Sequence, residues 1–114
     1  MKDDELLSGH LQELRRGTVV LACLATLGRP HYGYALLETL EKAGFPVDGN
    51  TLYPLLRRLE KQGLLTSEWN TEEARPRKFY QVSPQGRTVL ERMSHEWRVL
   101  DDAISALGQG EPRE

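Results

Sequence analysis

Leu52, Leu55, Leu56 and Leu59 fall at i, i+3, i+4 and i+7 within NTLYPLLRRLEKQ, which places four leucines on one face of a helix. At about 100° per residue, the opposite face carries Pro54, Arg57 and Lys61, flanked by Tyr53 and Arg58. The pattern predicts a helix over residues 50–62, apolar behind and basic in front. Asn50 or Thr51 is expected to cap it, with Pro54 in the first turn, where a missing N–H costs little. Upstream, Leu11, Leu14, Thr18, Leu21 and Ala25 are spaced 3, 4, 3 and 4, and Val20, Leu24 and Leu27 widen their stripe. They predict a helix over residues 11–27, preceded by an acidic, frayed lead and stopped by Gly28-Arg29-Pro30. Leu36, Leu37 and Leu40 then face inward along a second helix, residues 32–42, closed by Gly44. The bent connection AGFPVDG turns this helix directly into the leucine-rich one. Two short helices joined in this way behind a longer one make a helix-turn-helix.

The period changes after Gly63. Residues 64–69 and 78–82 read as two strands, the second containing Phe79, Tyr80 and Val82, with a polar, turn-prone loop between them. A hairpin directly after such a helix is a wing, and Arg75, Arg77 and Lys78 place three cations within four residues of it. Ser83-Pro84 opens a last helix, with serine as N-cap and proline at the first helical position. Along it Leu90, Met93, Trp97, Leu100, Ile104 and Leu107 are spaced 3, 4, 3, 4 and 3. This heptad seam favours a partner helix, and the first helix is its natural second wall, so a two-fold dimer is expected. The fold class is thus mainly α with a small β-hairpin wing: a winged helix-turn-helix plus a long C-terminal dimerisation helix. Residues 1–82 form the DNA-binding unit, whose first helix also supports the dimer; residues 83–108 form the dimerisation helix; and residues 109–114 form a frayed tail.

Composition narrows this picture. With 28% charged and 39% apolar residues, the 114-residue chain is one globular domain, small enough that a partner subunit would help to bury its apolar surface. Net charge is −2, which by itself argues against a nucleic-acid partner. Its distribution argues otherwise: residues 50–87 carry seven Lys/Arg against four Asp/Glu, whereas residues 88–114 carry three against six. MKDDELLSGH has no signal-peptide pattern and no apolar run reaches membrane-spanning length, so a cytoplasmic location is expected, without membrane association. The lone Cys23, within VVLACLATL, reads as a small buried hydrophobe. His10, His31 and His95 are too far apart in sequence for a zinc motif, and no glycine loop cradles a phosphate. No enzymatic activity, metal or cofactor is expected.

The chain resembles the PadR family of transcriptional regulators, in the short form with a single C-terminal helix. The resemblance is carried by ELRRGTVVLACLATL, HYGYALLETLEKAGFPV, NTLYPLLRRLEKQGLL, PRKFYQVSPQGR and the tryptophan of HEWRVL, from about Glu13 to Leu107. It implies a homodimeric winged-helix repressor whose third helix enters the major groove of double-stranded DNA. Such regulators often respond to phenolic or other planar small molecules. The expected DNA contacts are Arg57, Arg58 and Lys61, with Thr51 and Tyr53 at the start of the third helix, Arg75, Arg77 and Lys78 in the wing, and Tyr32 at the start of the second helix. Tyr34 is expected to be at least as suited to core packing as to DNA contact. Met93, Trp97, Leu100 and Ile104, facing Leu11 and Leu14, are expected to line the dimer interface. If that interface leaves a gap, Trp97 would stack on a planar aromatic ligand. The alternative is a dimeric small-molecule-binding or protein-interaction module that has lost operator binding.

Overall fold

A computed structural model of the chain describes residues 2–72 and 74–109. Its elements run α1 (Lys2–Thr26), β1 (His31–Tyr32), α2 (Gly33–Lys42), α3 (Gly49–Lys61), β2 (Leu65–Asn70), β3 (Arg77–Val82) and α4 (Pro84–Gly108). Residues 110–114 of the expected tail lie outside the described residues.

α3 anchors the core. Leu52, Leu55, Leu56 and Leu59 are all buried, as their spacing predicts, and each contributes about 1.5–3 kcal/mol by leaving water. The helix begins earlier than the sequence suggests. Asp48, not Asn50 or Thr51, is the N-cap, its Oδ1 accepting from the Thr51 backbone N–H at 2.9 Å. Pro54 consequently lies in the second turn, not the first. Its missing N–H leaves the Asn50 carbonyl without the usual i→i−4 donor, but Asn50 and Pro54 are both exposed, so water can serve that oxygen. α2 and α3 end alike. Gly44 and Gly63 adopt φ of +90° and +81°, and the amides two residues beyond each cap, Phe45 and Leu64, return to the Leu40 and Leu59 carbonyls.

α1 departs most from its expected form. It starts at Lys2, so the acidic lead is helical, and its core face is Val19, Cys23 and Leu24, followed by Leu27. The 3–4 stripe lies largely outside the core: Ala25 is exposed, and Leu14 is 66% exposed. Thr18 on that stripe bonds back to the Leu14 and Arg15 carbonyls. α1 thus carries two apolar faces with helical spacing, one buried in the core and the other, with Leu11 and Leu14, left exposed.

The wing hairpin pairs β2 with β3 from Leu65 opposite Val82 to Asn70 opposite Arg77. The sequence pattern does not show β1, which adds itself to β3 with His31 opposite Tyr80 and Tyr32 opposite Phe79, giving the order β1-β3-β2. Two residues are too few for an alternating pattern to register. Val82 N–H donates to the Leu27 carbonyl at 2.8 Å, stapling the sheet to the end of α1.

α4 has the expected cap. Ser83 Oγ accepts from the Gly86 amide at 2.9 Å and donates to the Gly63 carbonyl at 2.6 Å, with Pro84 opening the helix. Gly86 is buried where the chain enters the hairpin and β3 ends: a Cβ there would lie 2.1 Å from the Leu64 carbonyl oxygen and 2.7 Å from Val82 Cγ2. α4 packs along α1. Leu90 and Met93 rest on the core, whereas Trp97, Leu100, Ile104 and Leu107 are exposed beyond it. The two long helices give the chain a longest dimension of 66 Å.

Candidate nucleic-acid interface

The outer face of α3 presents Tyr53, Pro54, Arg57, Arg58 and Lys61, all exposed. Tyr53 is set by its neighbours. Its ring lies between two glycines, where a Cβ on Gly33 would come within 2.8 Å of Cε1 and one on Gly49 within 3.0 Å of Cε2. A side chain at either position would push the ring out of the slot. The tyrosine thereby forms one wall of a groove whose other lining residues include Tyr32, Tyr34, Arg75, Arg77 and Lys78. α3 thus meets the wing across a trough with four tyrosines, Tyr80 among them, and three cations. Tyr34 is 66% exposed at the start of α2, so it is a surface residue and not core packing.

Tyr32 organises the base of the wing. Asn70 Nδ2 donates to its hydroxyl at 2.8 Å, Phe79 meets its ring edge-on at 5.8 Å, and Arg77 lies over its face with Cζ 5.2 Å from the centroid. The last contact keeps the Arg77 guanidinium near the groove by cation–π attraction. Lys78 is drawn the other way, its Nζ 3.3 Å from Glu60 Oε1 on α3 and 5.3 Å from the Tyr80 ring centre. Glu60 also accepts from the Ser67 hydroxyl. That hydrogen bond first, and then the Lys78 ammonium, hold its carboxyl below the ordinary carboxylate value.

Not every expected site residue belongs to this groove. Thr51 lines a different cleft with Arg15, Arg16, Leu37 and Phe45, on the far side of the α3 N-terminus. Arg57, Arg58 and Lys61 sit on the exposed face of α3 and do not line the groove.

Residues 20–92 match the model of the transcriptional regulator PadR-like family. The chain belongs to the PadR-like family. Among solved structures, a PadR family transcriptional regulator from Eggerthella lenta is 45% identical, with a TM-score of 0.93 over 97% of this chain and 99% of that one. A PadR-like regulator from Bacillus cereus is 28% identical, with a TM-score of 0.78 over 87% and 99% of the two chains. Transcriptional regulator Rv3488 of Mycobacterium tuberculosis is 42% identical over 59 residues, which span 52% of this chain and 55% of that relative.

The PadR-like identity makes the protein a transcriptional regulator built on a winged helix, and the groove lies where that architecture brings α3 and its hairpin together. Among the described residues, no helix is long and apolar enough to cross a membrane. Three participants in the site escape sequence reasoning: Glu60, Ser67 and the glycine pair around Tyr53. The Glu60–Lys78 partners are 18 residues apart in sequence, beyond any local spacing rule. Gly49 stands four residues before Tyr53, one helical turn, so that half of the slot left a legible trace.

Proposed function

We propose that this PadR-like chain is a homodimeric, cytoplasmic repressor that binds a pseudo-palindromic operator in double-stranded DNA. The observation that carries this reading is the groove in which Tyr53 of α3 faces Arg75, Arg77 and Lys78 of the wing. In a winged helix, α3 enters the major groove, so Arg57, Arg58, Lys61 and Tyr53 are assigned to base edges and nearby phosphates. Arg75 and Arg77, with Tyr32 holding the latter, are assigned to the sugar–phosphate backbone, where they supply affinity and orientation but no sequence information. Thr51 is assigned a backbone contact at the start of α3.

The dimer reading is supported by the apolar residues left outside the core. Leu11 and Leu14 of α1 and Trp97, Leu100 and Ile104 of α4 are exposed, and the α4 residues continue the seam that Met93 begins against the core. Two copies paired along these faces would set their α3 helices on half-sites roughly 34 Å apart, one turn of DNA. Trp97, 48% exposed on that seam, is assigned to stack on a planar aromatic ligand between the subunits. Binding there would release the operator by changing the relation of the two halves.

Fluorescence anisotropy on a duplex from the chain's own upstream region, beside a scrambled duplex at several salt concentrations, tests the reading. The expected result is preferential binding whose log affinity falls by about 0.9 per phosphate contacted for each unit of log salt. Arg75→Ala should weaken both duplexes alike and flatten that slope. Equal, weak binding to both would instead favour the module that has lost operator binding, and quenching of Trp97 by planar aromatics would then report its ligand.

A further inference from the structure

Glu60 is an acidic residue on the helix assigned to DNA, and it holds both strands of the wing. One carboxylate oxygen accepts from Ser67 of β2 at 2.5 Å, and the other lies 3.3 Å from Lys78 Nζ of β3. Lys78 is also the most withdrawn of the three wing cations: it is partly buried, whereas Arg75 and Arg77 are exposed. Its ammonium is already paired, held between the Glu60 carboxylate and the Tyr80 ring.

We infer that Glu60 is a built-in stand-in for a DNA phosphate, which fixes the wing against α3 and withholds the Lys78 charge from non-specific backbone contacts. The inference rests on the DNA-binding reading above. Phosphate contacts raise affinity for every sequence equally, so masking one cation lowers binding to every duplex by the same factor and leaves base-reading residues untouched. What changes is the absolute hold on non-operator DNA, not the ratio of the two affinities. Both side chains keep about a third of their surface in water, so the pair is one that an exposed contact of modest strength can replace. A neutral amide at position 60 would keep the hydrogen bond with Ser67 and release the lysine.

The test compares wild type, Glu60→Gln, Lys78→Gln and the double variant, by anisotropy across a salt series, on a mixed-sequence duplex and on the upstream duplex. Thermal melts confirm that each variant is folded. Glu60→Gln should tighten mixed-sequence binding by roughly two- to fivefold per subunit, the equivalent of one exposed charge contact. It should also steepen the salt slope by about 0.9 per subunit on both duplexes and leave the ratio of upstream to mixed-sequence affinity unchanged. Glu60→Asp, which retracts the carboxylate by one methylene, should move the same quantities in the same direction. In the Lys78→Gln background, Glu60→Gln should change neither affinity nor slope. An unchanged slope in Glu60→Gln overturns the inference, as does a gain of equal size without Lys78, which would mean that Glu60 simply repels DNA. Wild-type protein that binds neither duplex overturns the DNA reading together with this inference; wild-type binding with an unresponsive Glu60→Gln overturns the inference alone.

Discussion

At the scale of single residues, Cys23 and Tyr53 show opposite uses of close packing. Cys23 is fully buried among leucines, and burial pushes its thiol up to about 12 from an ordinary 9.0. A folded-state value above the unfolded one means that stability is complete below pH 9 and declines as pH rises from there towards 12. Chemical denaturation across that window should show this decline, and Cys23→Ala should remove it. At pH 8 a thiol reagent should label the native chain only as fast as it unfolds; faster labelling would mean that α1 opens locally. The burial of Cys23 is legible from its apolar run. The setting of Tyr53 is only half legible, because Gly33 reaches its ring through the fold. Glu60 is the least legible of all. In sequence it is one more charge on a polar helix face, and only the hairpin's return brings Lys78 to it.

At the scale of elements, strong periodicity is read well and short or two-faced elements are not. The four leucines of α3 leave a single helical solution, and the Ser83-Pro84 start of α4 names its own cap. β1 is invisible because its two residues gain meaning only by pairing with β3. α1 is read only in part: its apolar stripe is legible, but the separation of the core face, Val19, Cys23 and Leu24, from the outer leucines is not. The α3 boundary is misplaced by one turn's choice of cap, and that error has an energetic consequence. Asp48→Ala should destabilise the chain by about 1 kcal/mol. Pro54→Ala restores a helical donor to the Asn50 carbonyl, and a proline in a helix interior is up to about 3 kcal/mol less favourable than alanine, so it should raise the unfolding temperature. If denaturation midpoints show no rise, the proline fits its second-turn site without strain.

At the scale of the whole molecule, the proposed dimer rests on the unburied seam. Ile104 and Leu107 are 65% and 80% exposed, next to Trp97 and Leu100. Contiguous apolar surface of this kind marks an interaction site. A charge placed in it should separate the subunits. Sedimentation of Ile104→Glu with Leu107→Glu is expected to give the mass of one chain where wild type gives two, with the helical circular-dichroism signal of the winged domain retained. A wild-type chain that sediments as a monomer at high concentration would remove the dimer from the reading. The seam is legible in sequence as a heptad run. Its division is not: α4 uses the first two positions on its own core and leaves the rest outside, and only the point where the domain ends fixes that boundary.

The root of α4 has no slack, since the Leu64 carbonyl occupies the space that a side chain at position 86 would need. A 25-residue helix seated in this way is a crank about 37 Å long. Turning it by about 5° carries its tip through about 3 Å, close to the 3.4 Å step between base pairs. Leverage of this kind runs in both directions. In the proposed dimer, whatever grips the tips of two such cranks would set the spacing of the α3 helices to within a single base step, and a mismatched spacing between half-sites would return to the tips as torque.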